Sequence, residues 1–233
     1  MLEIGRLETG YGKKQVLFGL SLEVRQGEVV ALIGPNGAGK STVLKAVCGL
    51  VPPWKGEIRF CGSSTAGATP AHNVSRGIVY APQGSRVFHD LTVMENLEIA
   101  GYQLQRKTAR ERIAYVLDLF PTLKERINQD AGRLSSGQQQ MLALSRALVP
   151  EPKLLMLDEP SLGLSPDLVR TVFATIAEIN RGSGVTTLVV EQKVRQVLGI
   201  CNRVYSMKLG KMAFDGSPDD LKRDDAKLKE LFL

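Results

Sequence analysis

The chain has 233 residues, which suffice for one sizeable domain or for one domain with a subdomain. Lys and Arg outnumber Asp and Glu by 30 to 24, and the net charge of +6 suits a polyanionic ligand, an anionic membrane surface or an ordinary solvated surface. The three cysteines lack Cys-x-x-Cys spacing and the apolar runs are far shorter than about 20 residues, which argues against a disulfide framework, a zinc site and a membrane span.

The first part of the chain predicts β-strands. Leu20, Leu22 and Val24 alternate with polar residues, which is typical of a half-buried strand. The continuous apolar stretch Val29–Ile33 predicts a fully buried strand. Glycine, proline and apolar patterning further predict a short strand, a loop and a strand ended by proline, at residues 56–60, 62–70 and 77–82 respectively.

A glycine-rich segment follows the strand Val29–Ile33 and matches the phosphate-binding pattern G-x-x-x-x-G-K-S/T. In such a loop, backbone N–H groups and the start of the next helix surround phosphate oxygens. Lys40 is then expected to reach the β- and γ-phosphates, and the Ser41 hydroxyl to ligate Mg²⁺. The alternative is a glycine-rich turn that happens to contain lysine. The predicted phosphate-binding residues are Gly34, Pro35, Asn36, Gly37, Ala38, Gly39, Lys40, Ser41 and Thr42.

Residues 91–149 predict a run of helices. Thr92 and Glu95 have the spacing of a capping box at a helix start. Farther along, apolar residues share one helical face, namely Ala109, Ile113, Val116, Leu117 and Phe120. Strands and helices then alternate, which implies a parallel sheet covered by helices. The predicted strands are residues 154–157 and 186–190, and the predicted helices are residues 167–180, 194–198 and, at the carboxyl end, 220–233.

Two carboxylates, Asp158 and Glu159, end the apolar strand at residues 154–157. Because ligands of open α/β sheets bind at the carboxyl ends of the strands, we expect both side chains to face the phosphate-binding loop. Asp158 would then hold Mg²⁺, and Glu159 would act as the general base for an attacking water. The alternative is a charged transition from strand to loop.

A second polar helix start comprises Ser135, Ser136, Gly137 and Gln138. Ser135 is a suitable N-cap and Gln138 occupies the reciprocal capping-box position. The same groups also fit an anion site, because hydroxyls, a glycine N–H and the helix dipole point in one direction. The residues alone leave both interpretations open.

Taken in order, the G-x-x-x-x-G-K-S loop, Leu-Ser-Ser-Gly-Gln and Leu-Leu-Met-Leu-Asp-Glu-Pro resemble the ATPase subunit of an ABC transporter over nearly the whole chain. The resemblance implies an α/β P-loop NTPase fold with a RecA-like parallel or mixed sheet, an N-terminal antiparallel β subdomain and an inserted α-helical subdomain. It implies one ABC ATPase domain, 1–233, with residues 1–90 and 150–233 as the catalytic lobe and 91–149 as the helical subdomain. It also implies that two subunits pair head to tail around two ATP molecules, so that residues 135–138 face the partner's nucleotide.

The resemblance assigns roles to individual residues. Tyr11 matches an aromatic that stacks on adenine, although it could also be a plain turn tyrosine. Gln83 matches the glutamine that approaches Mg²⁺ and the attacking water, and Gln192 stands where most members have a switch histidine. The implied catalytic residues are Glu159, Gln83, Lys40 and Gln192, and the implied metal ligands are Ser41, Gln83 and Asp158. Residues 84–101 resemble the surface that receives a permease, where Val87 and Phe88 are either contacts or core.

Departures from the commoner pattern, at Ser136, Ser165 and Gln192, resemble the paired ATPases of importers for branched-chain and related hydrophobic amino acids. This branch implies ATP and Mg²⁺ as cofactors, permease subunits, a second ATPase that makes a heterodimer or a homodimer, an external substrate-binding protein and no nucleic acid. It implies a peripheral position on the cytoplasmic face of the plasma (inner) membrane, and the cytoplasm before assembly. The alternatives are a urea or amide importer, a lipid or lipopolysaccharide exporter, and a soluble ABC protein of DNA repair or translation.

Overall fold

Two sheets organise the computed structural model, which describes residues 1–223 and 231. The first sheet has four antiparallel strands in the order β2-β1-β4-β5. In its longest pairing, Leu2 lies opposite Val24 and Tyr11 lies opposite Lys14. The strands are β1 (Leu2–Tyr11), β2 (Lys14–Val24), β4 (Lys55–Phe60) and β5 (Ser63–Ser64).

The second sheet has six strands in the order β10-β9-β3-β8-β7-β6. The pairs β9·β3, β3·β8, β8·β7 and β7·β6 are parallel, and β10 pairs with β9 in the antiparallel sense. This is the mixed α/β sheet that was predicted. The strands are β3 (Val29–Ile33), β6 (Ile78–Ala81), β7 (Leu154–Asp158), β8 (Thr186–Glu191), β9 (Arg203–Lys208) and β10 (Lys211–Gly216).

Helices cover the six-stranded sheet, together with the first sheet on one face, because β3, β7 and β8 are buried along their whole length and need cover on both faces. The longest helix packs through an apolar stripe at helical spacing, comprising Val169, Val172, Phe173, Ile176 and Ile179. These helices are α1 (Lys40–Cys48), α2 (Pro70–Ser75), α7 (Pro166–Ser183), α8 (Val194–Val197) and α9 (Pro218–Lys222).

The middle of the chain is helical, as its sequence predicted. Both predicted capping boxes form, with Thr92 and Glu95 at one helix start and Ser135 and Gln138 at another. The elements are α3 (Val93–Ala100), α4 (Arg106–Leu119), α5 (Pro121–Lys124), a 3₁₀ turn (Ala131–Arg133) and α6 (Ser136–Leu148). No described helix combines the length and the apolar composition that a membrane span requires. The division of the chain at residues 90 and 150 into two lobes stays a prediction.

Several elements differ from the sequence-based expectations. The patterning gave no prediction for β1, β9, β10 or α2, and it gave only the end of β2. The expected loop over residues 62–70 contains the two-residue strand β5 and the first residue of α2. The structure describes only residues 220–223 and 231 of the predicted terminal helix over residues 220–233, and α9 ends at Lys222. The remainder of that prediction lies outside the described residues.

Asn96 fixes the connection that enters the helical segment. Its side chain is fully buried in α3. The Nδ2 atom donates to the carbonyl oxygens of Phe88, Leu91 and Thr92 at 2.9, 3.3 and 2.9 Å, and Oδ1 accepts from the Phe88 N–H at 2.9 Å. One amide therefore satisfies four backbone groups in a segment without regular structure.

We expect Asn96→Ala to lower the free energy of unfolding by about 3 kcal/mol, because it leaves several buried backbone groups without partners. Chemical denaturation measures this change. The matched control is Asn128→Ala at an exposed position, where the change should stay within about 0.5 kcal/mol. Equal stabilities of the two variants would contradict the assigned role of Asn96.

Candidate active site

The glycine-rich loop joins β3 to α1 and is shaped by close contacts that exclude larger side chains. Gly34 has a φ of +145°, and a Cβ there would lie 2.3 Å from the Met207 carbonyl oxygen on β9. Gly39 has a φ of +99°, and a Cβ there would lie 2.8 Å from Leu17 Cδ2. Glycine is therefore required at both ends of the loop, and the backbone can curl around a small volume.

Lys40 lies inside this curl. Its Nζ donates to the carbonyl oxygens of Gly34 and Pro35 at 2.8 and 3.0 Å, and the residue is buried. Burial lowers the pKa of Lys40, while the nearby carboxylates of Glu159, Asp158 and Glu191 act in the opposite direction. The ammonium group is thus held at the centre of the loop, where a phosphate chain would lie.

Two of the three predicted metal ligands, Ser41 and Asp158, lie side by side. Ser41 Oγ donates to Asp158 Oδ1 at 2.9 Å, across the gap between α1 and β7. Burial raises the pKa of Asp158, and hydrogen bonds from Tyr80 and Ser41 partly offset this effect. A hydroxyl and a carboxylate are the hard oxygen donors that Mg²⁺ prefers. The donor set therefore fits the ion.

Glu159 accepts hydrogen bonds from two glutamine side chains. Its carboxylate accepts from Gln83 Nε2 at 3.0 Å and from Gln192 Nε2 by a short hydrogen bond. The Glu159 backbone has a φ of +48°, and its N–H donates to the Val190 carbonyl oxygen at 2.9 Å. Three of the predicted catalytic residues therefore meet, although they follow three different strands. Gln83 was also predicted to be a metal ligand. In this structure its side-chain amide is hydrogen-bonded to Glu159, and its metal role stays a prediction.

Glu191 was missed by the sequence reasoning. Its buried carboxylate accepts from the N–H groups of Ser161, Gln192 and Lys193 at 3.0, 3.1 and 3.3 Å. Burial raises the pKa of Glu191, and these hydrogen bonds partly offset the effect. The carboxylate therefore ties the loop after Glu159 to the loop that carries Gln192. The sequence does show a charged residue at the end of an apolar strand. It does not show that the side chain points inward.

Tyr11 lies beside α1 with about half of its surface exposed, at 47%. Its hydroxyl is 3.4 Å from Thr42 Oγ1, and its ring centre is 5.9 Å from Lys45 Nζ. An exposed aromatic face next to the phosphate-binding helix is suited to stacking on a base. The stacking of Tyr11 on adenine stays a prediction.

The polar start of α6 forms a compact cap. Ser135 Oγ accepts from the Gln138 N–H, and Gln138 Oε1 accepts from the Ser135 N–H. Gly137 is buried, and a Cβ there would lie 2.6 Å from Leu168 Cδ2. The capping interpretation is thus realised in the structure. Ser135 and Ser136 are also exposed, so the anion-site interpretation stays a prediction.

The sequence left open whether Val87 and Phe88 are surface contacts or core residues, and the structure gives them different positions. Val87 is 8% exposed and belongs to the core, whereas Phe88 is 46% exposed. The Arg146 guanidinium lies over the Phe88 ring at 4.7 Å. Phe88 therefore stands on the surface and Val87 does not.

A sequence profile for the family described as ABC transporter matches residues 17–162, which include the glycine-rich loop, the start of α6 and the two carboxylates at the end of β7, Asp158 and Glu159. The chain belongs to the ABC transporter family. It is an ATP-binding subunit of that family, an ATP-hydrolysing transport ATPase.

Curated relatives of this ABC ATPase include ATP-binding proteins of amino acid transport and of lipopolysaccharide export. The high-affinity branched-chain amino acid transport ATP-binding protein BraG of Pseudomonas aeruginosa is 44% identical over 212 residues, covering 91% of each chain. The probable branched-chain amino acid transport ATP-binding protein LivF of Archaeoglobus fulgidus is 38% identical, covering 95% of this chain and 94% of the relative. The lipopolysaccharide export system ATP-binding protein LptB of Haemophilus influenzae is 34% identical, covering 100% of this chain and 97% of the relative.

Solved structures have the same fold as this ABC ATPase. One is the ADP conformation of an ATP-binding cassette of an ABC transporter, with a TM-score of 0.89 and 28% identity. The alignment covers 99% of this chain and 97% of that one. The predicted P-loop NTPase fold is confirmed.

We expect Glu159→Gln to lower ATP turnover by at least about a hundredfold, because an amide cannot take a proton from water. ATP affinity should stay within about threefold, since the phosphate-binding loop is unchanged. Steady-state phosphate release and equilibrium nucleotide binding measure the two effects.

Glu178→Gln, at an exposed position of α7, is the matched control and should leave both quantities unchanged. If Glu159→Gln kept most of the wild-type turnover, Glu159 would not be the general base.

Proposed function

We propose that this ABC ATPase powers the import of branched-chain or related hydrophobic amino acids. The arrangement of Gln83 and Gln192 on the Glu159 carboxylate carries the hydrolytic half of this proposal. The 44% identity to a branched-chain amino acid transport subunit supports the substrate class. Residues 84–101 and the glutamine at position 192 support the same branch.

In the proposed reaction, each residue has a distinct task. Lys40 and the loop N–H groups bind the β- and γ-phosphates, and Tyr11 stacks on the adenine. Ser41 and Asp158 would hold Mg²⁺, which when bound neutralises charge on the phosphates. Glu159 accepts the proton of the attacking water. Gln192 can donate a hydrogen bond from its Nε2 to the γ-phosphate, because this side chain already reaches the position next to the proposed base Glu159.

A second ATPase subunit would complete the site. We infer that the start of α6, with Ser135, Ser136, Gly137 and Gln138, binds the γ-phosphate of the nucleotide on that partner. Its exposed serines and free helix dipole suit this role. A partner with histidine at the position of Gln192 would make two unequal sites, since an amide donates a hydrogen bond but carries no positive charge. A homodimer would make equal ones.

A groove of about 540 Å³ next to the helical segment is the proposed docking surface for a permease subunit. Exposed apolar side chains of Leu50, Ile99 and Tyr102 line it. Arg86 and Arg146 also line it, and the buried Nε of Arg146 has no partner among the described residues. These features favour an apolar segment with an acidic residue. Such docking would hold the ATPase at the cytoplasmic face of the membrane.

The competing function is lipopolysaccharide export. The observation that favours it is the 34% identity to LptB, which lies below the 44% identity to BraG. The same ATPase chemistry would serve either transporter, so its partners decide between them.

Purification of the chain from its native membranes, followed by mass spectrometry, tests the proposed import function. We expect two permease chains and a second ATPase with histidine at the switch position. Recovery with an exporter would contradict import, and recovery with ribosomal or DNA-bound proteins would contradict a transport role.

We expect Gln192→His to raise ATP turnover of the assembled transporter by about threefold or more, with a larger effect below a pH of about 6.5, where imidazole gains its charge. The rate of phosphate release across pH measures this. Gln196→His, at an exposed position of α8, is the control and should have no effect. An unchanged rate for Gln192→His would mean that the substitution is silent.

A further inference from the structure

Tyr80 makes a contact that the proposed mechanism does not use. It lies on β6 opposite Met156 of β7, and its hydroxyl donates to Asp158 Oδ2 at 2.9 Å. The other carboxylate oxygen, Oδ1, accepts from Ser41 Oγ at 2.9 Å. The Asp158 carboxylate is therefore held from two sides by two hydroxyl groups.

Each of these hydrogen bonds restricts a buried charge. Asp158 is only 4% exposed, so an oxygen that lost its donor would gain little from water. The Tyr80 hydroxyl supplies the proton of its hydrogen bond, because an ionised carboxylate can only accept. The pair thus sets the plane of the carboxylate, which decides where its lone pairs point.

Packing fixes the tyrosine ring. The ring is half-buried, packs against the apolar cluster that contains α1 and β3, and forms part of the wall of the groove described above. Because β6 lies next to β7 in the sheet, the ring has a rigid support on the strand side. Its hydroxyl therefore reaches Asp158 at a fixed place.

We propose that Tyr80 is a positioning residue for the metal site: it orients the Asp158 carboxylate so that Asp158 and Ser41 together bind Mg²⁺ with ATP. This inference rests on the proposed Mg²⁺ role of Ser41 and Asp158. Loss of the hydroxyl frees the carboxylate to rotate, which weakens Mg²⁺ binding and leaves the contacts of the phosphate-binding loop intact.

The test is the Mg²⁺ dependence of ATP binding to the full chain, measured by calorimetry with ATP at fixed concentration. For Tyr80→Phe we expect the half-saturating Mg²⁺ concentration to rise by about tenfold or more, as for the loss of one hydrogen bond to a charged group. ATP affinity without Mg²⁺ should stay within about twofold of wild type. Turnover at limiting Mg²⁺ should fall and recover when Mg²⁺ is in excess.

Tyr205→Phe is the matched control. The Tyr205 hydroxyl also makes two hydrogen bonds, but both are to the backbone of Glu23 on the antiparallel sheet. It accepts from the Glu23 N–H and donates to the Glu23 carbonyl oxygen, both at 3.1 Å. This variant should show the wild-type Mg²⁺ midpoint. A Tyr80→Phe midpoint equal to that of wild type would overturn the inference. A wild-type chain whose ATP binding ignored Mg²⁺ would instead remove the metal role of Ser41 and Asp158.

A second measurement covers the case in which Tyr80→Phe does not fold. With 3-fluorotyrosine at position 80, the fluorine resonance should shift when Mg²⁺ is added to the chain with ATP. It should not shift when Mg²⁺ is added to Asp158→Asn with ATP. A resonance that ignores Mg²⁺ in the otherwise wild-type chain would overturn the inference.

Discussion

The parallel register of three central strands is the constraint on which the site depends. Ile33 at the end of β3 pairs with Glu191 at the end of β8, and Val190 of β8 pairs with Asp158 at the end of β7. The glycine-rich loop, the carboxylates of Asp158, Glu159 and Glu191, and Gln192 therefore lie at the same edge of the sheet. A shift of one residue in either pairing would turn Asp158 or Glu191 to the opposite face and separate the groups that now touch.

Backbone and side-chain donors make this concentration of charge tolerable. Asp158, Glu159 and Glu191 are all buried, Lys40 interacts electrostatically with all three, and Lys45 also acts on Asp158. Each carboxylate accepts two or more hydrogen bonds, from hydroxyls at Asp158, from amide side chains at Glu159 and from backbone N–H groups at Glu191. Such bonds offset the desolvation of a buried charge. They also hold the proposed general base Glu159 close to the proposed metal ligand Asp158.

Local signals in the sequence predicted the parts of the site that depend on neighbours in the chain. The phosphate-binding loop, the capping boxes and the carboxylates that end β7 are all local patterns. Tyr80 and Glu191 were missed because their roles depend on which strands lie side by side, and strand order is a non-local property. β1 and β10 were missed for a different reason, because bulges and partly exposed faces weaken their alternation. Gln83 was predicted only from the family resemblance, as a residue near Mg²⁺ and the attacking water, and its contact with Glu159 was not predicted.

The central claim is that ATP is hydrolysed at this sheet edge and that a second subunit closes the site. A cryo-electron microscopy structure of the Glu159→Gln variant, assembled with its partners in ATP and Mg²⁺, tests it most directly. We expect the γ-phosphate beside Lys40 and Gln192, a metal ion beside Ser41 and Asp158, and residues 135–138 against the partner's nucleotide. A nucleotide whose phosphates lie away from position 159, or residues 135–138 against this chain's own nucleotide, would contradict it.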